Sequence, residues 1–193
     1  MKTLFLLITL INSLLITACT SSVNHADLTE QELQKDRRTR DIIIKDREIE
    51  NEAYSELNGD PDLRNQSHFT INTYNGATLV TGEASSEALK AKIIAKIQVI
   101  DHVKVVHDNL AIATPSDFEG RANDQAITEN VTMALKQIRS LPDFDPAMIK
   151  VVTENGVVYL MGLVHREEGT VVINVTKLQP GIQEIITVFE YLD

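Results

Sequence analysis

The chain contains few of the residues on which several classes of protein depend. It has one cysteine, no tryptophan and only 5% aromatic residues in 193 positions. A single cysteine excludes an intrachain disulfide framework and a multi-cysteine metal site. Cations are outnumbered, since 18 Lys and Arg stand against 28 Asp and Glu, for a formal charge of −10. Because nucleic-acid binding needs clustered cations and stacking aromatics, this composition predicts no nucleic-acid partner.

The amino terminus consists of one cation, an apolar run and the cysteine. Lys2 precedes an apolar run at 4–16, which has the length of a signal-peptide core and is shorter than the about 20 residues that span a bilayer. The run ends in Ile16-Thr17-Ala18-Cys19 and resembles a bacterial lipobox, in which the cysteine thiol accepts a diacylglyceryl group. We predict a lipoprotein signal peptide at 1–18 and lipidation of Cys19. The alternative is an ordinary signal peptide that precedes a buried cysteine.

The segment after the signal peptide is polar and charged, which predicts a lipidated tether over 19–45. Thr29 and Glu32 have capping-box spacing, which predicts a short helix ending at Lys35. Thr20 stands where aspartate commonly signals retention in the inner membrane. We therefore expect a lipid-anchored protein on the periplasmic face of the outer membrane of a Gram-negative bacterium.

The remaining sequence contains an internal repeat. Residues of a predicted helix recur at an offset of 78, and residues of a predicted hairpin and second helix recur at an offset of 80. The matched pairs are Asp46 and Asp124, Ile49 and Ile127, Leu57 and Leu135, Thr73 and Thr153, Asn75 and Asn155, Gly76 and Gly156, Gly82 and Gly162, and Glu87 and Glu167. We therefore predict two copies of one module, at 46–114 and 123–193, joined by a linker at 115–122.

Each copy has the same predicted order of elements. Apolar residues at helical spacing predict one helix before a hairpin and a second helix after it. The Asn-Gly pairs at 75–76 and 155–156 favour type I′ hairpin turns, because both positions of that turn take positive φ. A last strand is predicted at 103–112 and at 182–192. The predicted fold class is α+β, with two α-β-β-α-β modules, each a three-stranded mixed sheet covered by two helices.

One segment has a local propensity that conflicts with the repeat. Residues 171–176 are rich in β-branched side chains and in isolation favour a strand. The matching segment of the first copy, 89–100, has helical spacing, and Val171, Val175 and Leu178 keep that spacing. We therefore predict a helix at this position.

Two such modules behind a lipobox resemble the dual BON-domain lipoproteins. The resemblance covers nearly the whole chain after Cys19 and is most specific at 36–39 and 151–164. Gly82 and Gly162 match a glycine of that family at the end of the second strand, where close backbone packing or positive φ excludes a side chain. The resemblance implies an outer-membrane lipoprotein that supports envelope integrity and associates with anionic phospholipid through its second module.

The resemblance directs attention to the first helix of the second module for contact with lipid or a partner. A relative in this family has tryptophan and basic residues there, whereas the matching stretch here contains Ala126, Ile127 and Asn130. Leu141 and Phe144 follow that helix and are predicted as apolar contacts with the bilayer or a partner. The alternative for a loop aromatic is that it folds onto its own core.

The only basic cluster in the sequence lies at 35–40, close to the predicted anchor. Arg37 and Arg38 are predicted to meet lipid phosphates, at about 1 kcal/mol for each cation near an anionic surface. The alternative is a solvated face on which Asp36 and other nearby aspartates balance these cations.

The sequence contains no known pattern of a catalytic or metal site. The five histidines have no zinc-ligand spacing, and a nucleophile elbow, a P-loop and a dinucleotide fingerprint are all absent. Glu167 and Glu168 are adjacent carboxylates, but they lie at a predicted helix start, where acidic residues stabilise the helix dipole. We therefore predict a protein that is not an enzyme and needs no cofactor or metal.

Two functions follow from these predictions. The first is a lipoprotein that supports envelope integrity by associating with anionic phospholipid at the inner leaflet of the outer membrane. The second is a periplasmic adaptor for division or outer-membrane assembly proteins that does not recognise lipid. Binding of the soluble modules to anionic vesicles separates the two.

Overall fold

The computed structural model describes residues 35–114 and 118–193. The predicted signal peptide, Cys19, most of the predicted tether with its short helix, and residues 115–117 of the predicted linker lie outside the described residues. Within the described ranges, no helix is both long enough and apolar enough to cross a membrane.

The first module contains three helices and three strands. In chain order they are α1 (Arg40–Asn58), α2 (Pro61–Gln66), β1 (Ser67–Tyr74), β2 (Ala77–Ala84), α3 (Glu87–Gln98) and β3 (Val105–Ile112). The Thr39 and Ser86 hydroxyls accept backbone N–H bonds from the first turns of α1 and α3, which explains where these helices begin. Two features differ from the prediction. Helix α1 begins within the predicted tether, and the unpredicted α2 starts at Pro61 behind an Asp60 cap.

The second module repeats this order. Its elements are α4 (Phe118–Leu135), a 3-10 helix (Pro146–Met148), β4 (Ile149–Glu154), β5 (Val157–Val164), α5 (Arg166–Thr176) and β6 (Glu184–Tyr191). Helix α4 begins inside the predicted linker at 115–122, so the described connection is shorter than expected. Helix α5 confirms the helix predicted for 171–176. The buried residues of α5 have helical spacing and are Glu168, Gly169, Val172 and Thr176. The segment is helical because packing against the sheet outweighs the β-strand propensity of its β-branched residues.

Both modules form mixed three-stranded sheets, as predicted. Strands β1 and β2 are an antiparallel hairpin, and β3 pairs with β2 in parallel after the α3 crossover. Strands β4, β5 and β6 have the same arrangement, with β5 in the centre. The predicted α+β class is therefore confirmed for both modules.

Helices cover one face of each sheet and enclose a separate core. The fully buried side chains of the first core include Ile49, Leu57, Val80, Ile93 and Ile97. Those of the second core include Val131, Leu135, Val158, Leu160 and Val172. The buried apolar residues of α1, α3 and α4 lie at the predicted helical spacing. In α5 the fully buried apolar residue is Val172, whereas Leu178 of the predicted spacing lies beyond the end of the helix and is 82% exposed.

The opposite faces of the two sheets pack against each other. Tyr74 and Leu79 of the first module join Tyr159, Met161 and Leu163 of the second in a third buried cluster, which we call the intermodule interface. The central strands β2 and β5 are buried along seven of their eight residues, because each has a helix layer on one side and the other sheet on the other. The two sheets therefore lie inside and the helices lie outside.

Candidate functional site

Polar pairs connect the two modules around the intermodule interface, one of them buried and one partly exposed. The Tyr74 hydroxyl donates to the Met148 carbonyl at 3.0 Å, across 74 positions of the chain. Lys150 donates to Glu50 at 2.6 Å, across 100 positions. Because buried polar groups need partners, these pairs restrict how the two sheets meet.

Both predicted Asn-Gly pairs form tight hairpin turns. Asn75 and Gly76 have φ of 52° and 76°, and Asn155 and Gly156 have φ of 50° and 75°. These are the positive values that a type I′ turn needs at both central positions. Glycine lacks the Cβ that makes this region costly, and asparagine tolerates it better than most residues.

A buried aspartate on the first helix of each module holds its turn. Asp46 accepts the backbone N–H groups of Asn75 and Gly76 at 2.7 and 2.8 Å. Asp124 accepts the two equivalent bonds in the second module, also at 2.7 and 2.8 Å. The sequence repeat paired the two aspartates but did not reveal this role. The available signal was a carboxylate at a similar distance before each Asn-Gly pair, 29 positions before Asn75 and 31 positions before Asn155.

The two strand-end glycines are required for different reasons. Gly82 has φ of 113°, and a Cβ there would lie 2.2 Å from the His68 carbonyl oxygen. At Gly162 the close approach excludes a side chain, since a Cβ would lie 2.6 Å from the Met148 carbonyl oxygen. Gly82 therefore lets β1 approach the central strand, and Gly162 lets the end of the 3-10 helix before β4 do so.

Residues 35–39, which we call the strap, directly precede α1 and contact both modules. The two Arg37 Nη atoms donate to the two Glu168 carboxylate oxygens at 2.5 and 2.7 Å, and Nη1 also donates to the Leu163 carbonyl at 2.9 Å. The hydrogen bond from Arg37 holds the pKa of Glu168 below its usual range. Glu168 thus serves as the strap's partner as well as lying in the first turn of α5.

Arg38 is buried on the other side of the strap. Its guanidinium lies 3.6 Å from the centre of the Tyr74 ring and pairs with Asp36 at 2.6 Å and Asp46 at 2.9 Å. The prediction that Arg37 and Arg38 meet lipid phosphates is therefore wrong, because Arg37 already pairs with Glu168, and Arg38 with Asp36 and Asp46. Aspartates balance Arg38, as in the alternative interpretation, but the pairs are buried rather than solvated.

Replacement of Arg37 with methionine is expected to lower the free energy of unfolding by about 1–2 kcal/mol. Removing one partner of a fully buried ion pair lowers the free energy of unfolding by more than this amount. Arg37 is 19% exposed, so solvent screens part of its attraction to Glu168. Urea unfolding measures the change. Because the Glu168 pKa is lowered, the pair contributes stability above that carboxyl's unfolded pKa, and this contribution is lost as the pH falls through the lower folded value.

Arg40→Met is the matched control for Arg37→Met, because Arg40 is exposed at the start of α1. We expect it to change the unfolding midpoint little. Equal unfolding midpoints for the two variants would contradict a stabilising role for the pair between Arg37 and Glu168.

Three titratable side chains from both modules face one another beside the interface. His68 Nδ1 lies 3.5 Å from Glu83 Oε2 and 3.8 Å from Glu154 Oε1. Both glutamates are buried. Burial, followed by the neighbouring charges of Glu83 and Asp124, raises the pKa of Glu154 to about 7. Sequence spacing did not reveal this group, because its members lie on three different strands.

The predicted contacts on the second module divide into exposed and buried residues. Ala126 and Asn130 are exposed on α4. Ile127 is only 2% exposed and belongs to the second core, so its prediction as a surface contact is wrong. Ile127 lies on the face of α4 that packs against the sheet. Leu141 is half-buried, and Phe144 packs against the same core, which is the alternative that we gave for a loop aromatic.

An exposed stripe on α4 includes a residue that the sequence analysis missed. Ala122, Ala126, Asn130 and Met133 have helical spacing, are all exposed and carry no charge. Met133 is 64% exposed. We call these four residues the α4 stripe. The signal in the sequence for Met133 is its spacing of seven from Ala126, which places the two residues on the same face of the helix.

Comparison with known proteins gives one family. The BON domain model matches residues 45–114 and 123–193. The chain is 23% identical over 181 residues to the outer membrane lipoprotein DolP of Haemophilus influenzae, across 94% of this chain and 92% of that protein.

Solved structures give a weaker likeness. CdsD, a structural protein of the type III secretion system of Chlamydia trachomatis, and its C-terminal domain each overlap with 74% of this chain. The overlap covers 91% and 96% of those chains, with 14% identity and a TM-score of 0.31. That TM-score supports no conclusion about this chain. The two ranges that match the BON model contain the two α-β-β-α-β modules, and the chain therefore belongs to the BON-domain family as a DolP-like protein with two BON domains.

Proposed function

We propose that this chain is a non-catalytic lipoprotein, anchored through Cys19 to the periplasmic face of the outer membrane, that supports envelope integrity by associating with anionic phospholipid. DolP of Haemophilus influenzae is an outer membrane lipoprotein, and this chain is similar to it over 92% of its length. The lipobox at 16–19 supports the anchor, because its cysteine is the only one in the chain.

The α4 stripe is the observation that carries the lipid association. Since the sheets face each other, the helices form the outer surface, and Met133 presents an apolar side chain there that is 64% exposed. Burial of one such side chain contributes about 1.5–3 kcal/mol. That is a useful addition for a protein that its acyl chains already hold at the membrane.

Two cations beside the α4 stripe favour an anionic head group. Lys136 and Arg139 directly follow α4 and are exposed. Each cation near an anionic surface contributes about 1 kcal/mol. These two positive charges oppose the negative net charge of the whole chain. That net charge is −11 after removal of residues 1–18, because Lys2 is lost with them. We therefore expect weak association that depends on apolar contact as well as on charge.

Met133→Asp is expected to lower binding to phosphatidylglycerol vesicles by about tenfold or more, because it replaces the apolar contact with an anion. The measurement is co-sedimentation of residues 26–193, which lack the anchor, with vesicles of phosphatidylglycerol or phosphatidylcholine. Val99→Asp is the matched control, since Val99 is 80% exposed but lies at the end of α3 in the first module. We expect this control to bind as wild type does.

Three results would contradict the proposal. Equal binding by Met133→Asp and wild type would show that the α4 stripe is not the contact. Wild-type binding that is tight but disappears with moderate salt would show that cations alone provide the attraction. No binding to phosphatidylglycerol vesicles would favour the adaptor for division or assembly proteins. Melting temperatures of both variants check that folding is unchanged.

A further inference from the structure

The group formed by His68, Glu83 and Glu154 brings one imidazole and two carboxylates together between the modules. His68 on β1 and Glu83 on β2 belong to the first module, whereas Glu154 on β4 belongs to the second. His68 Nδ1 is buried and has no hydrogen-bond partner. Buried nitrogens of this kind normally have a partner, so this atom needs an explanation.

The distances in this group are close to those between ligands of one metal ion. Zn²⁺ binds nitrogen and carboxylate oxygen at about 2.0–2.2 Å in tetrahedral sites, which places two ligands about 3.4 Å apart. The two distances from His68 Nδ1 are 3.5 Å to Glu83 and 3.8 Å to Glu154. One ligand atom from each of the three residues lies within 4.8 Å of the others. Small shifts are therefore enough to coordinate one ion.

Hydrogen bonds orient the two carboxylates toward His68. The Asn155 amide donates to Glu83 Oε1 at 2.5 Å, while Glu83 Oε2 is the oxygen nearer to His68. The Thr70 and Thr81 hydroxyls lie 3.5 and 3.4 Å from Glu154 Oε2 as donors, while Oε1 is nearer to His68. Hydrogen-bond partners of this kind hold the ligands of a metal ion in the correct orientation.

A cleft beside the group provides access and room for water. His68, Thr70, Asp124, Thr128 and Glu154 are among the residues that line it. His68 itself is 28% exposed at its side chain. A site with three protein ligands and an opening for water matches the open coordination of many zinc sites.

We propose that His68, Glu83 and Glu154 bind one divalent transition-metal ion between the two BON domains, with Zn²⁺ as the best fit. A mixed set of one imidazole and two carboxylates suits Zn²⁺ better than Mg²⁺, which prefers an octahedral shell of oxygen. Because Glu154 comes from the other module, the ion would link the two sheets. This inference does not depend on lipid association.

Isothermal titration of the full chain in detergent with ZnCl₂ tests the site. A Cys19→Ser background carries neither the lipid nor a free thiol that could compete for Zn²⁺. We expect one Zn²⁺ per chain, a saturable rise in melting temperature and no displacement by millimolar Mg²⁺. His68→Gln and Glu154→Gln should each weaken Zn²⁺ binding at least tenfold. His102→Gln, at an exposed histidine, should bind as the background does.

Co²⁺ gives a second readout that does not depend on stability. Bound at this site, Co²⁺ should show the visible absorption of a low-coordinate ion, and His68→Gln should lose it. The inference is overturned if the background binds no Zn²⁺ saturably, or if His68→Gln, with a normal melting temperature, binds as tightly as the background. A melting temperature that does not respond to Zn²⁺ would also overturn it, in favour of a direct contact between His68 and the two glutamates.

Discussion

Gly82→Ala is expected to lower the free energy of unfolding by about 3 kcal/mol or more. The added Cβ would lie 2.2 Å from the His68 carbonyl oxygen, and the backbone there has φ of 113°. Neither problem is relieved by rotating a side chain, because the clash is with backbone. The hairpin between β1 and β2 must move apart, which also disturbs the adjacent interface. Urea unfolding monitored by circular dichroism measures the loss.

Gly59→Ala is the matched control for Gly82→Ala. Gly59 ends α1 with φ of −67°, which alanine adopts readily. An added Cβ there would lie 3.2 Å from the Ser55 carbonyl, a contact that small shifts accommodate. We expect a change of about 1 kcal/mol or less. Equal unfolding midpoints for the two variants would show that the backbone of β1 does not lie this close to Gly82.

Asp124→Ala is expected to cost about 3 kcal/mol of stability. The substitution leaves the backbone N–H groups of Asn155 and Gly156, the latter buried, without the carboxylate that accepts them at 2.7 and 2.8 Å. Each hydrogen bond to a charged group contributes about 1.5–3 kcal/mol, and a buried donor without a partner is costly. The measurement is again urea unfolding, with attention to the slope as well as the midpoint.

Glu129→Ala serves as the control for Asp124→Ala on the same helix. Glu129 is exposed and accepts one hydrogen bond from Gln125 one turn away, so we expect a loss below about 0.5 kcal/mol. If Asp124→Ala unfolds at the same urea concentration as Glu129→Ala, the aspartate does not hold the turn. Asp46→Ala should be at least as damaging as Asp124→Ala, because Asp46 also pairs with Arg38.

The candidate site was harder to predict than the fold because its contacts cross the modules. Arg37 and Arg38 looked like exposed cations, since nothing in their neighbourhood indicates Glu168, which lies 131 positions from Arg37. Ile127 illustrates the converse error. It was paired with Ile49 in the repeat, and Ile49 is a core residue, so the repeat itself pointed to burial. The resemblance to a relative led us to treat it as a surface contact instead.

Local sequence was sufficient for the elements of each module, because turns, caps and helical stripes depend on residues close together in the chain. The Asn-Gly pairs placed both hairpins, and the repeat correctly identified α5 against its β-branched composition. The meeting of the two sheets was different. Alternation along β2 and β5 shows which residues share a face, but it does not show what covers that face. Distant segments form the packing of one sheet on the other, the pair of Arg37 with Glu168, and the group of His68, Glu83 and Glu154. Only the folded chain brings those segments into contact.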